Sequence, residues 1–352
     1  MNDKIRVAFF TYPSAFQNVG GGEILLLKTK EYLEKEGLDC KLFDMWNDKL
    51  DDFDILHIFS TVKCCLGLMQ TAKNKRIKIV IDPIFFSTFQ RAFREHGGLG
   101  GKMGASLRHL TKVIFPHFPS SRRKMMLLAD AIIPNSYIEL KQIKRLFGIP
   151  KDKMHVVPNC VDPAFEYGDK NLFVSKYGIK DFILSVGRIE PRKNQLNLIK
   201  ALKGFALPLV IIGDPVSDYM DYYDQCKRAG AGSVFFIGRI GHDDPMLKSA
   251  YKACASFVSQ GWFETPGLTA LEAGLAGAKV VTTDKGCTRE FFKDLVEYCD
   301  PSDIKSIRSA IEKAIRGDSG AAFKDHIRRD LLWSIAAKKN IEVYRKLLSK
   351  GA

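Results

Sequence analysis

The sequence predicts an α/β protein built from two doubly wound parallel sheets in tandem, and three observations predict it. The chain has 352 residues, a length that suits two domains at about 150 residues each. Short apolar runs of strand length alternate with helical patterns along nearly the whole chain. The alternation breaks once, from Pro158 to Gly178, where Pro158, Pro163, Gly168 and Gly178 interrupt any period and mark an interdomain linker. The expected division is 1–165 for the first domain and 166–330 for the second, with a terminal helix at 331–350 packing back on the first.

Taken in order, Ile5 to Tyr12 is a continuous apolar run, and the loop after it ends in Gly20, Gly21 and Gly22. A helix is expected from Glu23, because Leu25, Tyr32 and Leu33 recur at i, i+7 and i+8 and Gly37 closes the pattern. Strands follow at 40–45, 54–59, 77–82, 131–135 and 155–159, with helical patterns at 62–75 and 136–147. Runs that are apolar without alternation belong to a parallel sheet covered on both faces. Beyond the linker a second series begins, with strands at Phe182 to Val186, Leu209 to Ile212, Val234 to Ile237, Ser256 to Ser259, Lys279 to Thr283 and Val296 to Cys299. The last helix carries Trp333, Ala337, Ile341, Tyr344 and Leu348 on one stripe. Two such domains place a cleft between the carboxyl ends of two sheets, where doubly wound folds bind ligands.

Composition narrows the class. A chain 46% hydrophobic and 27% charged is an ordinary globular protein, which excludes collagen-like, disordered and disulfide-framework classes. No apolar run reaches the roughly 18 residues of a membrane span, and Asp3, Lys4 and Arg6 stand where a signal peptide would be apolar. A cytoplasmic location is expected. The eight cysteines never form C-x-x-C, which suits reduced core thiols and argues against a structural metal. The net charge of +14 favours an anionic partner. Half of it falls in residues 91–124, where eight Lys and Arg face Glu95 alone, unlike a nucleic-acid-coating surface.

The strongest local signal runs from Gly261 to Ala273 as G-W-F-E-T-P-G-L-T-A-L-E-A, after a predicted strand and opening a helix. It places Glu264 in the loop and Glu272 in the first turns, with free amides near Gly267 and Leu268 that make an anion site. Carboxylates accept hydrogen bonds from vicinal hydroxyls and amides take phosphate, so the combination fits a sugar nucleotide. The other reading makes Glu264 a helix cap and Glu272 a solvated side chain. A second constellation, Gly187 to Asn194, puts Arg188 and Lys193 at another strand-to-helix junction. Breaking a glycosyl phosphate bond builds negative charge on the diphosphate, which a metal-free site must meet with fixed cations.

In this order, Gly20-Gly21-Gly22-Glu23, Asn159-Cys160-Val161-Asp162, Gly187-Arg188 with Lys193, and Glu264 with Glu272 as E-x7-E, the chain resembles glycosyltransferase family 4. The resemblance implies the GT-B fold, two Rossmann-like domains about a donor cleft, and retaining, metal-independent transfer of a sugar from a nucleotide diphosphate sugar, without a further cofactor. It implies that Arg188 and Lys193 contact the diphosphate, Glu264 the donor sugar and Glu272 the ribose. Thr265, Pro266, Gly267 and Leu268 would serve phosphate and sugar, while Gly21 and Gly22 let the first-domain loop approach the donor.

One position departs from the family. Members often present a histidine just after a first-domain strand, and here the stretch reads Val80-Ile81-Asp82-Pro83, leaving Asp82, His96, His109 and His117 as candidates. His57 lies within a strand pattern and reads as a core histidine. Asp52-Phe53-Asp54 spells D-x-D but precedes a strand instead of ending one, so it reads as a turn. No dinucleotide fingerprint or P-loop is present.

In the basic segment Met103, Leu107, Leu110 and Ile114 form one helical stripe beside Lys102, Arg108 and Lys112, with phenylalanines on either side. That pattern suits a peripheral anchor on an anionic membrane, or else a charged helix covering the first domain's core. The expected function is transfer to a lipid-linked or polysaccharide acceptor, a glycolipid among them. A sugar-nucleotide epimerase of the same fold, or a non-catalytic sugar-nucleotide-binding protein, are the alternatives.

Overall fold

The computed structural model describes residues 4–17, 19–87, 104, 107, 110–111, 113–115, 117–317 and 320–349. The chain divides into two compact units, Met1–Asn159 with Trp333–Ala352, and Cys160–Leu332.

In the first unit, strands β1 (Arg6–Phe10), β2 (Asp39–Leu42), β3 (Ile55–Phe59), β4 (Lys78–Asp82) and β5 (Ala131–Ile132) form a parallel sheet in the order β2-β1-β3-β4-β5. All five residues of β3 are buried, which is why its sequence shows no alternation. The segment expected as a strand at 155–159 makes only a bridge from Met154 to Ile132, with His155 N and Val157 N donating to Ile132 and Pro134. Pro158 has no N–H to extend the ladder. The helix Trp333–Ser349 lies on Gly21–Lys35, and its buried Tyr344 hydroxyl reaches His57 Nδ1 at 2.6 Å.

In the second unit, β6 (Ile183–Val186), β7 (Leu209–Ile212), β8 (Val234–Ile237), β9 (Ser256–Ser259), β10 (Val280–Thr283) and β11 (Glu297–Cys299) form a parallel sheet in the order β11-β10-β9-β6-β7-β8. Counted from β6 this is the 3-2-1-4-5-6 order of a Rossmann sheet. The expected linker is more ordered than its composition suggests. It holds the helix Lys170–Tyr177, whose Phe173 is buried and whose Phe173 N donates to Ser249 Oγ at 2.7 Å. Asp169 caps that helix through Asn171 N and Gly178 ends it at φ 68°, so the glycine read as a breaker is a helix stop.

Strand order reverses between β1 and β3 in the first sheet and between β6 and β9 in the second. Loops that leave the carboxyl ends of strands flanking a reversal splay apart, and each sheet offers its binding position there.

Candidate functional site

In the second unit the loops after β6 and β9 are stitched to each other by side-chain and backbone donors to backbone carbonyls. The short 3-10 helix Pro191–Lys193 ends at Asn194 in the left-handed conformation, φ 59°. The Asn194 side chain donates to Gln260 O at 3.2 Å and Pro301 O at 2.8 Å. Gln260 Nε2 donates in return to Lys193 O at 2.9 Å, and Trp262 N to Arg192 O at 3.0 Å. A third loop, after β10, closes the frame: Glu264 N donates to Lys285 O and Cys287 N to Glu264 O.

This frame brings Lys193 and Glu264 together. Lys193 Nζ is 2.7 Å from Glu264 Oε1, which also accepts from Ser259 Oγ at 3.3 Å, and Glu264 is only 4% exposed. Burial alone would raise the Glu264 carboxyl, but the charges of Lys193 and Arg192 overcome it and hold the group below the usual carboxylate range. Burial in turn lowers the Lys193 ammonium, with Glu264 acting against that shift. The Thr265–Pro266 peptide is cis, and Gly267 follows at φ 97° as the N-cap of the helix Leu268–Leu275. A Cβ on Gly267 would stand 3.6 Å from Glu264 Oε2, so the helix start lies against the carboxylate. The amides of Leu268 and Thr269 lead that helix and have no intrahelical acceptor.

Arg188 does not join the pair. Its side chain is 47% exposed, with Nη2 3.5 Å from Glu190 Oε1, an oxygen that Arg192 holds at 3.1 Å. Glu272 is neither solvated nor free. It is 4% exposed, Tyr251 Oη donates to its Oε2 at 2.7 Å, and His242 Nε2 lies 3.0 Å from its Oε1.

In the first unit, Gly21 and Gly22 open the helix Gly21–Lys35 at the carboxyl end of β1. The buried Glu23 accepts from Gly20 N at 2.8 Å and from Tyr12 Oη at 3.0 Å, which fixes the helix start. A Cβ on Gly22 would meet Ile84 Cδ1 at 3.4 Å. Asp82 ends β4, buried, with Oδ2 3.2 Å from His57 Nε2, and burial raises its carboxyl although His57 acts to lower it. His57 itself is a fully buried strand residue. His117 pairs with Arg123 at 3.2 Å, while His96 and His109 lie outside the described residues. Asp54 of the D-x-D accepts from Arg6 N at 2.8 Å and from the Arg6 guanidinium, a structural contact on the edge of β1.

Three residues of the site went unseen in the sequence: His242, Tyr251 and Gly286. For Gly286 a signal existed, a glycine just past a strand end, and its φ is 98°. His242 and Tyr251 carried none, since their role arises where a loop side chain and a helix side chain meet Glu272 on a second helix.

Two family descriptions match the chain, Glycosyltransferase Family 4 over residues 41–165 and Glycosyl transferases group 1 over residues 170–329. The chain belongs to this glycosyltransferase family. A D-inositol 3-phosphate glycosyltransferase of Stackebrandtia nassauensis is 31% identical over 253 residues, 64% of this chain and 56% of that protein. The chain spans less than two thirds of the length of the curated relatives it matches. Among solved structures, sucrose-phosphate synthase from Thermosynechococcus elongatus superimposes with a TM-score of 0.79 at 15% identity, over 99% of this chain and all of that one. Anabaena HepE, in complex with UDP and glucose, gives 0.73 at 16% identity over 97% of this chain and 100% of its own. The glycosyltransferase family member therefore has the GT-B fold.

Proposed function

We propose that this family member is a retaining, metal-independent glycosyltransferase of the hexosyltransferase kind, moving a sugar from a nucleotide diphosphate sugar to a lipid-linked or polysaccharide acceptor. One observation carries the reading. A buried carboxylate, Glu264, and an ammonium, Lys193, meet at 2.7 Å where strand order reverses, beside the leading amides of a helix. The carboxylate accepts from hydroxyls of the donor sugar. The ammonium, with Arg188 on the same loop, meets the charge that grows on the leaving diphosphate, and the amides after Gly267 take phosphate oxygens. Glu272 binds the ribose, and Gly21 and Gly22 are donor-binding residues whose bare backbone admits close contact. The HepE structure with UDP and glucose supports a nucleotide sugar as ligand of this fold.

A thermal-shift panel of UDP-, GDP- and ADP-sugars tests the donor, because a ligand at a hundred times its dissociation constant stabilises by about 2.7 kcal/mol. The stabilising donor should then yield sugar on an added acceptor with EDTA present, and proton NMR should show the donor's anomeric configuration kept. Epimerised free donor, an inverted product, or transfer that stops in EDTA and returns with manganese would each contradict the reading.

A specific observation favours the peripheral membrane reading of residues 91–124. The helical residues Leu107, Leu110 and Ile114 and the following Phe115 and Phe118 are all exposed, with Phe118 at 66%. No helix among the described residues is long and apolar enough to cross a membrane. Each Lys or Arg near an anionic surface adds about 1 kcal/mol, and exposed apolar side chains add a contribution that salt does not screen. Arg122 and Arg123 are poor probes, because their Nε atoms bond Thr61 Oγ1 and Phe147 O, both at 2.9 Å. Replacing Leu107, Leu110 and Phe118 together by Ser should instead abolish cosedimentation with anionic liposomes while leaving nucleotide-sugar stabilisation intact. Unchanged cosedimentation would return the segment to a charged helix cover.

A further inference from the structure

The Glu272 carboxylate is held by two donors from one short stretch of chain. Tyr251, fully buried on the helix Pro245–Ala253, gives its hydroxyl to Oε2 at 2.7 Å. His242, in the loop between β8 and that helix, faces Oε1 from Nε2 at 3.0 Å. The buried Phe165 ring stands edge-on to both, 5.2 Å from the imidazole and 5.8 Å from the phenol, and limits how either can turn. So constrained an acceptor costs little to order when a ligand hydroxyl arrives.

We propose that His242 is a positioning residue for Glu272, and that its protonation makes nucleotide binding depend on pH. The inference rests on the reading of Glu272 as the ribose contact. The groups facing His242 are Glu272 at Nε2, Asp243 at 3.3 Å from Nδ1, and the Tyr251 phenol across Glu272, while Lys248 lies over the Phe165 ring at 5.8 Å. Burial depresses the imidazolium, but the hydrogen bond and charge of Glu272 outweigh it, so His242 titrates above an ordinary histidine. Burial and Glu272 push the Tyr251 phenol well above its usual value, so it stays a neutral donor at working pH.

Below its pKa His242 offers a proton to each carboxylate and its charge balances Glu272. Above it one N–H remains, and the buried Glu272 charge stands uncompensated in a site that must take an anionic nucleotide. Nucleotide affinity should therefore fall as pH rises through the His242 pKa, and binding should take up a proton, because the anionic ligand favours the imidazolium.

Isothermal titration of the full chain with UDP, and with GDP and ADP in parallel, tests this from pH 6 to 9. The parent should lose about threefold to tenfold in affinity over that range, beyond what titration of the phosphate contributes. His242→Gln keeps a donor and removes the charge. It should bind at the parent's high-pH level throughout, with proton uptake abolished when buffers of different ionisation enthalpy are compared. Tyr251→Phe should weaken binding while keeping the pH slope, and its unfolding midpoint together with that of His242→Gln reports whether the fold is intact. A His242→Gln variant with the parent's slope and proton uptake overturns the proposal and leaves the donor-site reading standing. A parent that binds none of the three nucleotides at any pH overturns both.

Discussion

Replacing Lys193 by Met should lower sugar transfer by about a hundredfold or more and cost about 3–5 kcal/mol of stability. Both losses come from one contact, the 2.7 Å pair of Lys193 with the buried Glu264. Without the ammonium, Glu264 keeps Ser259 Oγ as a weak partner at 3.3 Å and carries an unbalanced charge out of water. Glu264→Gln breaks the same pair from the other side and should reduce transfer comparably. It should spare affinity for the free nucleoside diphosphate, because the carboxylate serves the sugar. Glu272→Gln should weaken nucleotide and intact donor alike, since ribose is common to both. The double variant Lys193→Met with Glu264→Gln leaves no charge of this buried pair unpaired, so its stability loss should be well below the sum of the two single losses while transfer stays no higher than in either single variant. Denaturant unfolding, calorimetry with nucleotide and donor, and product formation separate these quantities. Near-parent transfer by Lys193→Met would move the diphosphate charge to another group, with Arg188 the first to examine.

Much of the architecture was legible because a parallel sheet buried on both faces writes itself as apolar runs. The strand Ile55–Phe59 is buried at every position and reads as a run even with His57 inside it. Strand order was not legible, since the pairings β1 with β3 and β6 with β9 follow from packing between segments far apart in sequence. The helix Lys170–Tyr177 was hidden because its short amphipathic face is little more than Phe173 set against the helix Pro245–Ala253. In the site, residue types at fixed spacing pointed to Glu264, Glu272 and Lys193. Spacing cannot say that Lys193 is already paired with Glu264, or that His242 and Tyr251 occupy both oxygens of Glu272. The first is a contact between loops set by the stitching through Asn194 and Gln260, and the second is set by the packing of the helices Pro245–Ala253 and Leu268–Leu275.

Gly286→Ala should be the most damaging single-methyl change near the site. The residue sits at φ 98°, and a Cβ there would stand 2.0 Å from Glu264 O and 2.9 Å from Glu264 N. The obstacle is backbone, which cannot swing aside like a side chain, and it is the backbone that carries the Glu264 carboxylate. Its carbonyl accepts Cys287 N at 3.1 Å and its amide donates to Lys285 O at 3.2 Å, so relief must break the junction of the loops after β9 and β10. A left-handed conformation strained by a side chain plus overpacking against backbone gives a loss of about 3 kcal/mol or more. Displacing Glu264 by even an ångström should lower transfer by about a hundredfold. Gly277→Ala supplies the comparison, because Gly277 has a similar φ of 91° with nothing within 4 Å of a Cβ. It carries the backbone strain alone, about 1–2 kcal/mol, and should keep transfer near the parent's level. Measured at a temperature where both variants are folded, transfer should separate them although each bears one added methyl. Equal transfer in the two would show that the loop after β10 does not position Glu264, and would leave that task to the side-chain contacts with Lys193 and Ser259.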